Sequence, residues 1–274
     1  MAMGQLEELK KIIQEASRPV FFGGAGVSTK SGIPDFRSPK GLYQLKSEYG
    51  VPYETMLSID YFLAHPDIFY DFYWKHFYYP NAKSNAAHLA LSEYGKTHPN
   101  FLIITQNVDG LHQKAGSKGV LELHGNADHF YCMNCNKFYT GKDLDKHGVP
   151  HCSCGGIIRP DVVLYGQPLE ERVVENAIMA LKFSDLLIVG GTSLNVYPAA
   201  YYLQYSNAKT KILINLEKTP YDQAFDYCFY EDIGSVLERI LKWAVTLLNI
   251  LSPSLNIVTK SSEMGWLLVS FGIA

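Results

Sequence analysis

Short apolar runs recur along the chain, each followed by an amphipathic stretch before the next run begins, and this alternation narrows the fold more than any other feature. Pro19 to Phe22, Phe101 to Thr105, Val120 to Leu123, Asp185 to Val189 and Lys211 to Asn215 read as buried strands. Around and between them, Leu6, Leu9, Ile12, Ile13 and Ala16 recur at helical spacing, and Asn85 to Tyr94, Leu169 to Lys182, Pro198 to Tyr205 and Ile233 to Ala244 are helix-like. Strands separated by helices cannot pair through tight hairpins, so they form a parallel sheet with helices on both faces. Ligands of such α/β sheets bind beyond the carboxyl ends of the strands.

The strand ends are where the chemistry-bearing residues gather. Gly23-Gly24-Ala25-Gly26-Val27-Ser28-Thr29 follows the first strand. Glycines there let backbone approach a pyrophosphate, whose charge a following helix N-terminus would stabilise. A tight structural turn explains them equally well, because Thr29 replaces the third glycine of the dinucleotide fingerprint. Ser31-Gly32-Ile33-Pro34-Asp35-Phe36-Arg37 sets an aromatic ring between two charges in a turn-rich loop, a mix suited to closing over a ligand. Thr105-Gln106-Asn107-Val108-Asp109-Gly110-Leu111-His112 ends the second strand. Its amides suit a ribose and a carboxamide, and an Asx turn is the plainer alternative. His124, before Gly125, faces the same edge, and an imidazole with a reference pKa of about 6.5 suits a general base. Gly190-Gly191-Thr192-Ser193-Leu194 and Asn215 close two further strands.

Two segments interrupt the alternation. Tyr61 to Pro80 is half aromatic, which predicts either a small helical core or the wall of an apolar groove. Phe130 to Ile158 carries Cys132-x2-Cys135 and Cys152-x-Cys154, sixteen residues apart. Paired thiols at this separation read as one tetrahedral zinc. Four thiolates leave no open position, so the metal is expected to be structural and catalysis to come from elsewhere. The second pair is one residue tighter than usual, and Gly155 and Gly156 behind it relieve the turn. Both segments read as insertions building a smaller domain.

Lys plus Arg make 24 against 27 Asp plus Glu, a net charge of −3 that excludes a nucleic-acid footprint. No leader is evident, and no run approaches the roughly 18 to 20 apolar residues of a membrane span. A cytoplasmic, monomeric protein with no membrane partner is the expectation.

Taken in order from about Leu6 to Ala244, these motifs resemble the sirtuin family: the 24–28 and 31–37 loops, Gln106 to Asp109 with Leu111-His112, His124-Gly125, the cysteine pairs, Arg159 to Val163, Gly191 to Leu194 and Asn215. The resemblance implies a Rossmann-like large domain (about 5–40, 84–126 and 160–244), a small zinc-binding domain (about 41–83 and 127–159) and a C-terminal extension, 245–274, of unknown role. It also implies NAD-dependent removal of acyl groups from protein lysine, giving nicotinamide, O-acyl-ADP-ribose and free lysine. By that likeness His124 is the base toward a ribose hydroxyl and Asn107 orients the ribose. Asp109 and the Val108 backbone hold the nicotinamide carboxamide, while Gly24, Ala25, Gly26 and Thr29 cradle the phosphates. Phe36 shields the reacting face and Arg37 anchors its loop. Thr192, Ser193 and Asn215 serve phosphate and adenosine ribose, with Asp35, Gln106, Gly191, Leu216 and Ile233 completing the cofactor set. Val162, Val163 and Tyr165 belong to a strand that pairs with an acyl-lysine peptide, and Cys132, Cys135, Cys152 and Cys154 hold one structural zinc.

Tyr165 and Gln167 depart from the Phe and Glu of many relatives. Members that remove acidic acyl groups carry Tyr-x-x-Arg; the corresponding stretch, Tyr70-Asp71-Phe72-Tyr73, has no arginine, which favours uncharged acyl groups in an apolar pocket around Tyr70. The alternatives are mono-ADP-ribosyl transfer or NAD hydrolysis at the same site and, from another class, a non-catalytic NAD- or zinc-binding module.

Overall fold

The computed structural model describes residues 3–36, 41–44, 48–194 and 199–241. Arg37 and the extension 245–274 lie outside the described residues. Six strands form a parallel sheet: β1 (Pro19–Gly23), β2 (Leu102–Thr105), β3 (Val120–Glu122), β7 (Leu186–Gly190), β8 (Thr210–Asn215) and β9 (Tyr227–Tyr230), in the order β3-β2-β1-β7-β8-β9. β1 and β7 occupy the centre and are buried along their whole length, which is why they read as continuous apolar runs.

The two-residue period of a strand sorts their side chains to opposite faces. Phe21, Ile103, Ile188, Ile212 and Ile214 meet α1 (Met3–Glu15), α5 (Ala86–Thr97) and α8 (Ile233–Leu241) on one side. Val20, Phe22, Ile104, Leu187, Val189 and Leu213 meet α7 (Glu171–Phe183) on the other. The start of α5 is fixed by a capping box: the Asn85 side chain accepts from Ala87 N–H, and the Asn85 N–H is returned to His88 Nδ1. No helix among the described residues is long and apolar enough to cross a membrane.

The aromatic segment folds into α2 (Tyr53–Met56), α3 (Ile59–Ala64) and α4 (Pro66–Phe72), the last continued by a π-helical turn over Tyr73–Phe77. Phe62, Phe69, Tyr70, Phe72 and Tyr73 form a core with Phe130 and Ile158. Beside it stands a three-stranded antiparallel sheet, β5-β4-β6, made of β4 (Gly125–Cys132), β5 (Phe138–Thr140) and β6 (Ile158–Val162). Tyr73 Oη donates to Ala127 C=O at 2.7 Å, and Tyr70 Oη to Ile158 C=O, so the aromatic helices are fastened to this sheet by their hydroxyls.

Three elements differ from the sequence expectation. The 198–205 helix is a 3-10 segment over Ala199–Tyr205, where Ser206 N–H bonds back three residues to Leu203 C=O. β9 is too short to show a period. β4 is hidden because its register shifts between Asn126 and Phe130, breaking the alternation that would reveal it.

Candidate functional site

The strand order reverses between β1 and β7, and the loops leaving these two neighbours meet. Gly24 N–H bonds to Gly190 C=O at 3.2 Å and Gly26 N–H to Gly191 C=O at 2.8 Å. A Cβ on Gly24 would lie 2.7 Å from Thr192 Cβ, and one on Gly26 2.8 Å from Gly191 Cα. The loop after β1 then enters two 3-10 turns, Ala25–Val27 and Thr29–Ser31. No α-helix begins there, so the expected helix N-terminus for phosphate is absent. The backbone of the two interlocked glycine loops is what a pyrophosphate would meet.

The amide cluster stands on the next strand end. Gln106 N–H bonds to Gly23 C=O at 3.0 Å and Asn107 N–H to Thr105 Oγ1 at 3.0 Å, which turns the chain sharply out of β2. Asn107 Nδ2 donates to Ser28 Oγ (3.0 Å), which donates to Asp109 Oδ2 (2.6 Å), and Asp109 Oδ1 accepts from Leu111 N–H (2.9 Å). Ser28, buried at 1%, thus locks the β1 loop to the β2 loop. Sequence reasoning misses it as a site residue, because a serine just past a glycine run is ordinary turn composition. Gln106 Nε2 is buried without a partner, an unfilled donor of the kind a ligand carbonyl or hydroxyl satisfies.

His124 leaves β3 on the same edge. Its Nδ1 lies 2.8 Å from Gln106 C=O; a carbonyl only accepts, so the neutral ring carries its proton on Nδ1 and keeps the Nε2 lone pair. Burial lowers its pKa, against the smaller opposing pull of that carbonyl. Gly125 has φ +78°, and any side chain there would run into Asp161 C=O. That close approach joins His124 to β6.

These groups face one cavity of about 320 Å³. On the sheet side its wall is Ala25, Ser28, Gln106 to Asp109 and His124. On the small-sheet side it is Leu42, Leu57, His76 to Tyr79 and Val162 to Tyr165, with Ile33 and Phe36 above. Tyr70 is not on this wall: it is fully buried in the aromatic core with its hydroxyl on Ile158 C=O. The cavity wall on that side is formed instead by His76 and Phe77, farther along the chain, which pack on the aromatic core through Tyr53, Phe72 and Tyr73. Gly191 and Thr192 pack against Gly26 and Gly24, and neither they nor Ser193 stand on the cavity wall itself. Asn215 Oδ1 accepts from Thr192 N–H (3.1 Å) and its Nδ2 donates to Thr192 C=O (2.9 Å). Leu216 is 73% exposed beyond it, and Ile233 is buried under Gly190. Gln167 Oε1 accepts from Arg159 Nη2 at 3.0 Å and Leu164 N–H at 3.1 Å, so an amide carbonyl is the acceptor just beyond β6.

Away from the cavity, the thiol sulfurs of Cys132, Cys135, Cys152 and Cys154 all lie within 4.8 Å of one another. Cys132 to Cys154 is 3.4 Å and Cys135 to Cys152 3.7 Å. Zn–S bonds of about 2.3 Å in a tetrahedron give S–S edges of about 3.8 Å, so the set fits one zinc and leaves no coordination place for substrate. The tight second pair closes through Gly155, at φ +83°, and through Gly156, where a Cβ would stand 2.8 Å from Cys132 Sγ.

The sequence pattern of the Sir2 family matches residues 24–198, more than half of the chain. A Clostridium tetani protein named "NAD-dependent protein deacetylase" is 49% identical over 243 residues, covering 88% of this chain and 98% of that one. Among solved structures, a Sir2–p53 peptide–NAD+ complex superposes with a TM-score of 0.76 at 34% identity, covering 90% of this chain and all of the other. A Sir2 variant with deacetylated p53 peptide and 3'-O-acetyl ADP ribose gives a TM-score of 0.75 at 36% identity, covering 87% and 98%. With the glycine loops, the amide cluster, His124 and the four thiols placed in one fold, the chain belongs to the Sir2 family.

Proposed function

We propose that the protein removes acetyl or other uncharged acyl groups from protein lysine with NAD as co-substrate. The observation that carries this reading is the fixed tautomer of His124, which leaves a lone pair on Nε2 in a ring that lines the same cavity as the Asn107–Ser28–Asp109 chain. NAD supplies a ribose from which nicotinamide can leave when an acyl oxygen attacks. His124 takes a proton from a ribose hydroxyl at Nε2 while Gln106 C=O holds the ring. Asn107 orients the ribose, and Asp109 with the Val108 backbone holds the carboxamide. The glycine loops, Thr29, Thr192 and Ser193 meet the phosphates. Phe36, Ile33 and Phe77 keep water from the reacting centre. The four thiols hold zinc as a brace for the small sheet.

The two separate aromatic and sheet cores support a large domain of about 5–40, 84–126 and 160–244 and a small domain of about 41–83 and 127–159. No arginine lines the cavity among the described residues; the lysine that does, Lys114, comes from the large-domain segment, and on the small-domain side His76 is engaged by Glu48 at 3.0 Å, which supports uncharged acyl groups. A monomer acting in the cytoplasm completes the proposal.

The test is an acetyl-lysine peptide incubated with NAD and followed by mass spectrometry. Nicotinamide release equal to deacetylation, with acetylated ADP-ribose appearing, is the expected result. Nicotinamide released without peptide points to an NAD hydrolase, and ADP-ribose attached to protein to a transferase. Faster turnover of a succinyl-lysine than an acetyl-lysine peptide overturns the acyl preference.

A further inference from the structure

Tyr165 departs from the phenylalanine pattern noted above, and its extra oxygen has a partner. Its Oη lies 2.9 Å from Tyr43 Oη, across the cavity mouth. The two tyrosines are held by different parts of the molecule. Tyr165 N–H bonds to Leu57 C=O (2.9 Å) and its C=O accepts from Ile59 N–H (3.0 Å), which fixes it at the end of the substrate strand. Tyr43 N–H bonds to Phe36 C=O (2.9 Å), Leu42 N–H bonds to Asp35 C=O (2.7 Å), and the rings of Tyr43 and Phe36 stand 5.4 Å apart. The Phe36 ring in turn lies 6.4 Å from Phe77 on the cavity wall. One hydroxyl pair therefore connects the strand that would receive peptide with the loop that would cover the cofactor.

We propose that Tyr43 and Tyr165 form a latch through which an acyl-lysine peptide and the cofactor strengthen each other's binding. Tyr165 is 40% exposed, so in the open cleft water competes for both hydroxyls and the bond holds the loop weakly. A peptide laid along Val163 and Leu164 covers Tyr165 and removes that water. The same bond in a drier, lower-dielectric setting is stronger, and it then holds Tyr43, and Phe36 with it, over the cofactor. Coupling of this kind is reciprocal: whatever factor the peptide adds to cofactor affinity, the cofactor adds to peptide affinity. Phenylalanine at either position keeps the ring packing and deletes the latch. The residues act through Phe36 and touch no reacting atom, so they are positioning residues.

This inference rests on the reading of the cleft as a joint NAD and acyl-lysine site. The probe is ADP-ribose, which occupies the cofactor site without reacting, titrated calorimetrically into the full chain with and without saturating acetyl-lysine peptide. In the unsubstituted protein the peptide is expected to tighten ADP-ribose binding. A single hydrogen bond of ordinary net strength corresponds to about a five-fold factor, so Tyr165→Phe and Tyr43→Phe each reduce the tightening by about that much. The double variant loses no more than either single one, because both remove the same bond. Affinity for ADP-ribose without peptide changes by less than about two-fold, since the exposed bond is weak there. Tightening that survives in both variants, single effects that add in the double variant, or an equal loss with and without peptide each overturn the latch. If the unsubstituted protein binds neither ADP-ribose nor peptide, the reading of the cleft fails first and the latch fails with it.

Discussion

Replacing Asn215 by alanine tests whether the second glycine loop is held by side-chain chemistry or by its own backbone. Both atoms of the Asn215 amide engage one peptide unit: Oδ1 accepts from Thr192 N–H and Nδ2 donates to Thr192 C=O. Thr192 and Asn215 are both buried, at 7% and 8%. Alanine leaves a buried donor and a buried acceptor unpaired, each costing about 1–3 kcal/mol, and water entering from the cleft reduces the sum to roughly 2–4 kcal/mol. For a chain of this size each kcal/mol lowers Tm by about 2–4 °C, so a fall of roughly 4–16 °C is expected in a thermal melt. Thr192→Ser, which keeps the backbone pair and the Oγ that accepts from Leu194 N–H, stays within about 2 °C of the unsubstituted protein. ADP-ribose affinity falls in Asn215→Ala along with Tm, because the loop proposed to meet phosphate loses its anchor. A melt within 1 °C of the unsubstituted protein, on the order of noise for a buried unpaired group, refutes this account of Asn215.

Four further outcomes follow from the same geometry. Gly125→Ala forces a side chain onto Asp161 C=O at φ +78° and moves His124; deacetylation measured by nicotinamide release is expected to drop at least about 100-fold, and a fully active variant excludes the close approach. Because burial lowers the His124 pKa, the ring stays neutral into mild acid, so the acid limb of the deacetylation profile lies below the ordinary histidine value of about 6.5; a limb above it contradicts the assignment. Chelating the zinc removes the cross-link that the four thiols provide between the turn after β4 and the turn before β6, and Tm falls while far-UV dichroism of the six-stranded sheet persists; an unchanged melt refutes the brace. Burial, chiefly, pushes the Glu122 carboxyl up to about 7 from 4.5, so its contribution to stability is intact below the lower value and lost as pH rises through the higher one. Glu122→Gln, with no proton to lose, gains on the unsubstituted protein by up to about 3 kcal/mol in urea melts between roughly pH 5 and 8; a pH-independent difference refutes it.

Much of the large sheet is legible because β1 and β7 are apolar on both faces and carry their own end signals, Gly23-Gly24 and Gly190-Gly191. The small sheet is not, because β4 changes register between Asn126 and Phe130, and its inward residues do not alternate. In the site, Asn107, Asp109 and His124 stand out as polar groups at strand ends. Ser28 does not, since a serine after glycines is ordinary turn composition, and only the fold brings it between Asn107 and Asp109. Tyr70 misleads for the opposite reason. An aromatic-rich helix has rings on every side, and sequence spacing does not say which of them face the sheet under β4 and which face the cavity.

The weakness of the glycine fingerprint has a physical cause in the pairing of β1 with β7. Register sets Gly23 opposite Gly190, so the loops that follow leave the sheet side by side. Gly24 and Gly26 are small because Thr192 and Gly191 occupy the space a Cβ would need, whether or not a phosphate is present. In a dinucleotide fingerprint the third glycine allows a helix to pack closely on the strand. Here the chain after β1 makes only short 3-10 turns, no helix follows the strand directly, and Thr29 fits with its Oγ1 bonded to Gly26 C=O at 3.1 Å. The missing glycine is therefore a consequence of loop-on-loop packing. Gly26→Ala should for that reason destabilise the ligand-free protein, by about 1–3 kcal/mol for an overpacked contact, before any loss of cofactor binding is counted. If Gly26→Ala leaves the ligand-free melt unchanged and lowers only ADP-ribose affinity, the glycine serves the phosphate directly and the packing argument is wrong.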